Sequence, residues 1–517
     1  MLLDPPRDVP PGGSDRREER AAAARAGFDV VRHPDYPRLG WVFELGERPT
    51  AHVGADVEVF ERGLVEGCWA GAFADLDFAG RTSLFGSGVV GRAGGWLFCP
   101  PCHTLDALYA LAHRGRAHVG NSLALLLRQT GVRPRLDVDY TRAIATLVAG
   151  LDAAETVLWR DPEVVLHRVL ADDFTLEGGG IGKRRKVETA SFADFGAYRD
   201  HLLGVLAACA ANAADPARRR TYRLVTTCSG GYDSNTAAAL AARLGGRLAV
   251  TLGSARGGAA DSGAPVAEAL GLTCVERERT ERASGGSEVE FLTPGTGGAD
   301  SPLALFEAEL DGALLLTGYH GDKVWERTTP PNAVLKRGDP SGSSLTDFRL
   351  RVGFIHVPVP FIGALRHADI HAISNAEEMR PFSVGGGYDR PICRRILEEA
   401  GVPRGLVGRS KQAVAMIYSW SPRYLSPEVR AAFEGFLRER GLLWRVRARL
   451  AGFQAAAVAF RAVRKATKVA PALERPFGGL RDRLDRHFRA YENSRYANLL
   501  FVWALGQVFP ARDRDGR

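Results

Sequence analysis

Lysine is scarce in this chain. Of 68 basic residues only seven are lysine, so arginine is the default positive charge, and a lysine inside a motif is less readily explained as a generic surface cation. Cysteine is sparse and scattered, at positions 68, 99, 102, 209, 228, 274 and 393. That spacing excludes a small disulfide scaffold and points to a reducing compartment. The opening MLLDPPRDVPPGGSDRREER lacks the basic start and apolar stretch of a secretory signal, and its proline, glycine and charge predict a mobile tail over residues 1–27. The longest late apolar stretch, Tyr496 to Phe509, is too short to span a bilayer and carries Gln507. A cytoplasmic protein with no membrane partner is expected.

What is present is the composition of a globular protein: 45% hydrophobic, 25% charged, with a modest net charge of +8. At 517 residues the chain is long for one hydrophobic core, which predicts more than one domain. From about Gly40 to Arg135, short apolar runs alternate with glycine-containing turns, a β-rich pattern. Helices are predicted at Thr104–His113, Ser122–Gln129 and Tyr140–Ala149, and GGGIGKRRK (178–186) reads as a loop. From about Phe192 the period changes. Predicted helices at 195–214, 235–244 and 263–270 alternate with apolar strands at 222–227, 247–253, 272–276 and 311–318. Such alternation predicts a parallel sheet covered on both faces. Ligands on such sheets bind at the carboxyl ends of the strands, here the loops after Thr227, Gly253 and Gly318. The arginine-rich stretch Phe433–Arg489 is predicted to be helical. Its basic stripes could meet phosphates, but Leu, Val and Phe at helical spacing favour packing, so a nucleic-acid partner is not expected.

The most informative stretch is LVTTCSGGYDSNTAAALAARLGG (224–246), an apolar strand joined to an alanine-rich helix. A helix N-terminus offers unpaired N–H groups and a partial positive charge, a ready anion site. Gly230 and Gly231 let backbone amides approach a phosphate closely, and the Ser229 and Ser234 hydroxyls can donate to its oxygens. Asp233 would repel phosphate unless a cation lay between them, and Mg²⁺ accepts both kinds of oxygen. The competing reading is an ordinary strand–helix turn with a Ser/Asp cap. The loop lacks the spacing of a Walker-type phosphate loop.

SGGYDS after a strand resembles the pyrophosphate loop of PP-loop ATP pyrophosphatases, and the rest of the chain resembles the asparagine synthetase and β-lactam synthetase family. DSGAPVAEALGL (261–272) resembles that family's D-x-x-x-A-x-x-L-G region. LLLTGYHGDKVWE (314–326) matches its G-x-G-x-D-E loop in part, NAEEMRPFSV (375–384) resembles E-x-R-x-P-F-L-D with one residue missing, and GRSKQAVA (408–415) resembles its R-x-K segment. The resemblance runs from about 190 to 420. It implies activation of a carboxylate as its acyl-AMP, release of pyrophosphate and attack by an amine. Carried over, Ser229, Gly230, Gly231 and Ser234, with Gly253 and Gly318, would hold ATP, and Asp233 with Asp322 would hold Mg²⁺. Lys411, helped by Arg409, would stabilise negative charge at the reacting centre. Asparagine synthetases carry glutamate where this chain has Tyr319 and Lys323. The β-lactam synthetases match better, with a tyrosine that helps deprotonate the amine, although His320 replaces a small residue. A phenol near pKa 10 needs a carboxylate partner, and Glu378 is the candidate. The competing reading of Tyr319 is a packed aromatic at a strand end. The cavity around Tyr319, Phe361 and Met379 would decide the substrate.

The region before residue 190 resembles, more faintly, the glutamine amidotransferase-like domain of the same family, in EGCWAGAFADLDF and AHVGNSLALLLRQTG. An active glutaminase of that class uses an N-terminal cysteine, whereas the first cysteine here is Cys68, so glutamine hydrolysis is not expected. CPPCH (99–103) has the form of a haem-attachment site, but a Pro-Pro turn bearing two thiols is the better account. His356, His367 and His371 sit in no metal-binding pattern. The fold expected is α/β: a parallel-sheet PP-loop synthetase domain (adenine nucleotide alpha hydrolase-like) over 191–430, preceded by a degenerate α+β glutaminase-like domain over 28–190. A helical, basic extension over 431–517 would pack on the synthetase domain. The function expected is an ATP- and Mg²⁺-dependent amide-forming ligase acting on a small-molecule or peptide carboxylate and an amine, with lactam or macrocycle closure as one form. Its rivals are asparagine synthesis from ammonia, a non-catalytic ATP-binding scaffold and a tRNA-modifying PP-loop enzyme.

Overall fold

The computed structural model describes residues 27–177, 180–255, 258–279, 287–331, 341–386, 388–408, 425–469, 479–480 and 495–509. The chain is a mixed α/β protein with two largely antiparallel sheets followed by a parallel one. The first thirteen strands are β1 (Asp29–Arg32), β2 (Trp41–Leu45), β3 (Thr50–Val53), β4 (Glu58–Phe60), β5 (Gly63–Cys68), β6 (Phe85–Arg92), β7 (Gly95–Cys99), β8 (Leu108–His113), β9 (Arg116–Gly120), β10 (Val157–Arg160), β11 (Val164–Val169), β12 (Asp173–Glu177) and β13 (Gly180–Arg184). They form a seven-stranded sheet in the order β1-β3-β2-β9-β8-β11-β10 and a six-stranded sheet in the order β13-β12-β7-β6-β5-β4. Between the sheets lie Trp41, Phe43, Leu64, Val89, Phe98, Leu108, Val119 and Phe174, all fully buried. Helix α1 (Leu123–Thr130), capped by Ser122, and helix α2 (Tyr140–Ala145) cover the outer face of the larger sheet.

Two expectations fail in this half. The helix predicted at Thr104–His113 is strand β8 from Leu108 onward, paired on both sides with β9 and β11. Leu and Ala favour helix locally, but Leu108–Leu111 are buried, and the central place in a sheet overrides propensity. The loop predicted at 178–186 contains β13, which pairs with β12 through Asp173↔Arg184 and Glu177↔Gly180. Its charged, glycine-spaced residues suit an exposed edge strand.

Helix α3 (Phe195–Ala213) leads into the parallel sheet and buries Phe195, Tyr198, Leu202, Leu206 and Cys209 in a core shared with Cys68, Phe85 and Leu105 of the first half. The sheet has five strands, β14 (Arg223–Thr227), β15 (Leu248–Leu252), β16 (Thr273–Arg277), β17 (Ala313–Thr317) and β18 (Ile355–Pro358), in the order β16-β15-β14-β17-β18, and every pairing is parallel. Its helices include α4 (Asp233–Arg243), α5 (Ala264–Ala269), α6 (Thr346–Val352) and α7 (Pro391–Glu399). Ala237, Ala238, Ala239 and Ala241 of α4 are buried and let it lie close on β14 and β17. Because β15 lies on one side of β14 and β17 on the other, the order reverses beside β14, and the loops after β14 and β17 meet there.

Helices α8 (Pro427–Glu439), α9 (Leu443–Val469) and α10 (Arg495–Val508) follow. Helix α10 is buried from Tyr496 to Leu505. It packs not only against the second half but also against α1 and α2, where Asn498 accepts the Tyr140 amide at 3.0 Å and donates to the Val138 carbonyl at 2.7 Å. Among the described residues, no helix is long and apolar enough to cross a membrane.

Candidate functional site

The SGGYDS loop folds around its own polar groups. The Ser229 and Ser234 hydroxyls lie 2.7 Å apart, and the Gly231 amide donates to Ser229 Oγ at 3.1 Å. Asn235 ties the turn together, accepting the Ser229 amide and donating to the Ser229 and Gly231 carbonyls. The Gly230 amide donates to Asp261, to its carbonyl at 3.1 Å and its Oδ1 at 3.0 Å. A carboxylate thus accepts an amide of the SGGYDS turn. Burial raises the Asp261 pKa and the Gly230 hydrogen bond opposes the rise.

Asp261 comes from the loop after β15. Gly263 on that loop passes so close that a Cβ there would lie 2.3 Å from Cys228 Cβ. Gly253, expected at the nucleotide, begins the same loop: its carbonyl accepts the Asp261 amide, and a Cβ on it would lie 2.6 Å from Glu278 Oε1. Asp261 is the residue of this loop that touches the SGGYDS turn through its side chain, and sequence reasoning noted it only as the first letter of a motif.

The loop after β17 interlocks with SGGYDS. A Cβ on Gly318 would lie 2.2 Å from the carbonyl carbon of Asp233, and one on Gly321 would lie 2.5 Å from Asp233 Cγ. Only glycine permits that approach. Asp322, next in the chain, is thereby held on the loop that abuts Asp233. Between them His320 has φ +78°, an unusual conformation for a side chain with a Cβ, and its ring stacks on Phe361 with centroids 4.5 Å apart. Phe361 is therefore near this loop, as expected.

Tyr319, two residues past the end of β17, lies against the His356 ring, edge-on at 5.7 Å, while His356 Nε2 meets Thr317 Oγ1 at 2.8 Å. The expected partner of Tyr319 was Glu378, and this is corrected. Glu378 accepts the Phe195 amide at 3.0 Å and pairs with Arg395 at 2.7 Å, two contacts that hold its pKa down. It anchors the start of α3. The carboxylate at Tyr319 is Asp300, which is buried and hydrogen-bonded by Tyr319, Ser344 and the Gly342 amide; burial raises its pKa and these bonds oppose the rise. Asp300 lies in GGADSPLAL, between the segments that carry the resemblance and in none of them, so no pattern in the sequence marked it. Met379, expected at the cavity, is buried in the core and receives Arg395 Nη1 on its sulfur at 3.5 Å.

Lys411 and Arg409 lie outside the described residues. Gly408, immediately before them, donates to the Gly230 carbonyl at 3.4 Å, and its lack of a Cβ admits the Tyr232 ring. The described chain thus reaches the SGGYDS turn at Gly408.

Two basic side chains stand on the carboxylates expected to hold metal. Arg390, 2% exposed, pairs with Asp233 and places its Nε 3.4 Å from Glu326 Oε2. Its guanidinium also lies 4.8 Å from the Tyr388 ring centroid, and the Tyr388 hydroxyl accepts the Tyr232 amide at 3.2 Å. Lys323 pairs with Asp322 at 3.0 Å. Arg390 is one arginine in an arginine-rich chain, and nothing in its local sequence singled it out. Among the described residues, no three His, Cys, Asp or Glu side chains gather as a metal site. Two carboxylates on touching loops are nevertheless hard oxygen donors of the kind Mg²⁺ takes when phosphate oxygens complete its shell.

The CPPCH segment turns inward. His103 is fully buried among Phe85, His356 and Phe361, and burial pushes the Cys102 thiol up to about 12. Such a thiol stays protonated and unreactive. No protein-family model matches this chain, and no curated protein matches it.

Proposed function

We propose that this protein is an ATP- and Mg²⁺-dependent amide-forming ligase resembling the asparagine synthetase and β-lactam synthetase family, which adenylates a carboxylate, lets an amine attack and releases AMP and pyrophosphate. The observation that carries this reading is the meeting of two loops beside β14, with Gly318 and Gly321 pressed on Asp233 where no Cβ fits. On a parallel sheet, such a reversal of strand order is where nucleotides bind. Ser229, Gly230, Gly231 and Ser234 would cradle the pyrophosphate portion of ATP, and Asp261 would yield the Gly230 amide to it. Mg²⁺ held by Asp233 and Asp322 would neutralise phosphate charge. Lys411, with Arg409, would stabilise the charge that develops on the acyl centre and on pyrophosphate.

The amine must lose a proton as it attacks. Tyr319 hydrogen-bonds Asp300, so the pair can accept that proton: the phenol passes its own proton to the Asp300 carboxylate as its oxygen takes the one from the amine. Ammonia would need the same proton acceptor, so the preference for another amine rests on the lack of an N-terminal cysteine in the glutaminase-like half rather than on this pair. The amine can belong to the substrate itself, which would make the product a lactam or a ring-closed peptide. The first half of the chain then serves as a folded partner of the synthetase half rather than as a glutaminase.

The test is nucleotide product analysis on the full chain with MgATP and a panel of amino acids, comparing wild type with Lys411→Ala. Substrate-dependent AMP and pyrophosphate, lost in the variant, are expected. ADP and phosphate instead would overturn adenylation. No ATP binding by wild type would overturn the reading of SGGYDS.

A further inference from the structure

The carboxylates around the proposed metal position already face cations. Asp233, Asp322 and Glu326 would together bring three negative charges, and Arg390 and Lys323 cancel two of them through the contacts at Asp233, Glu326 and Asp322. Arg390 is not a mobile surface group. It is buried, lies over the Tyr388 ring, and Tyr388 is tied to the SGGYDS turn through the Tyr232 amide. Lys323 is more accessible, with 30% of its side chain exposed, and it stands where the resembling family carries an acid.

We propose that Arg390 and Lys323 are built-in counter-ions that keep a divalent cation out of the empty site, so that metal enters only together with the nucleotide, as its Mg²⁺ complex. The inference rests on the adenylation reading above and deepens it. A lone divalent cation gains little from carboxylates whose charge is already compensated, and it meets the repulsion of a desolvated guanidinium a few ångströms away. The triphosphate changes the balance. It supplies the negative charge and the oxygen ligands that the protein has withheld, and its phosphates give Arg390 and Lys323 a second anionic partner. The arrangement also holds Asp233 in place against Gly321 before the nucleotide arrives. Arg390 is thus a positioning residue whose effect shows in the order of binding.

The experiment uses Mn²⁺ as the probe and its electron paramagnetic resonance signal as the readout, on the full chain without nucleotide. Wild type is expected to leave millimolar Mn²⁺ free, and to take up Mn²⁺ when a non-hydrolysable ATP analogue is added. Arg390→Met with Lys323→Met should bind Mn²⁺ without nucleotide about tenfold or more tightly than wild type, from the loss of two nearby positive charges. Lys323→Met alone, at a partly exposed position, gives a smaller gain in the same direction and serves if the buried substitution prevents folding. Tight Mn²⁺ uptake by nucleotide-free wild type, or no gain in either variant, overturns the inference. If wild type fails to bind the ATP analogue, the adenylation reading falls, while the nucleotide-free measurements still judge the counter-ions.

Discussion

At the scale of single residues, the site is defined as much by missing side chains as by present ones. Gly318 and Gly321 leave the room that Asp233 fills, and a methyl group at either would have to displace backbone or the carboxylate itself. Gly321→Ala is expected to weaken ATP-analogue binding at least tenfold and to cost about 1–3 kcal/mol of stability, the usual range for overpacking. Calorimetric titration and urea unfolding would check the two effects, and unchanged nucleotide affinity would mean that the two loops do not form one site. His320 offers the opposite case. It holds a positive φ, which a residue with a Cβ adopts at some cost, and its stacking on Phe361 offsets that cost. The sequence shows the substitution of a small residue by His320 but not its reason, because the stacking partner lies forty-one positions downstream, on another segment of the chain.

At the scale of elements, the alternating helices and strands after Phe192 were legible because short apolar runs recur between helical stretches, most fully in the wholly buried β17, and strands β14 to β17 fall within a residue or two of their expected places. Strand β18 was missed. Its residues IHVP include a histidine and a proline, and the His356 that breaks the apolar pattern is buried on Thr317. The glycine-rich loop was legible because its residues are neighbours in the chain. Asp300, Asp261 and Arg390 were not recognised, because each reaches its partner only through the fold. The same holds for α6, whose Arg349 crosses to the first half of the chain. Buried at 2% exposure, Arg349 makes a two-pronged pair with Glu66 of β5 at 2.8 and 3.1 Å and lies 3.3 Å from Asp106. Arg349→Leu would leave two buried carboxylates without their cation and should destabilise the protein by about 3–5 kcal/mol. A loss below about 1 kcal/mol in chemical unfolding would mean that the network is well solvated and contributes little.

At the scale of the whole molecule, the same network joins the antiparallel sheets to the parallel one through a shared core, in which Cys68, Phe85 and Leu105 pack with Tyr198, Leu206 and Phe361. His103 sits in this junction. Loss of hydration pushes its pKa down to about 3, against the pull of Asp106 and with the further opposition of His356, Arg349 and Lys186. The sign of its effect follows. Below about pH 6.5 the unfolded chain takes up a proton that folded His103 refuses, so stability falls as pH drops from about 6.5 toward about 3. Glu58 and Glu290 act in the other direction. Burial raises both to about 7, so folding binds their protons more readily and stability falls as pH rises from about 4.5 to about 7. His103→Gln keeps a hydrogen-bonding group of similar reach but cannot titrate. Urea unfolding of this variant and wild type across that acid range should show the variant losing stability less steeply on acidification, by roughly a few kcal/mol over the whole window. Parallel slopes in the two proteins would mean that His103 protonates in the folded state, which requires water to reach the junction and the two halves to part there.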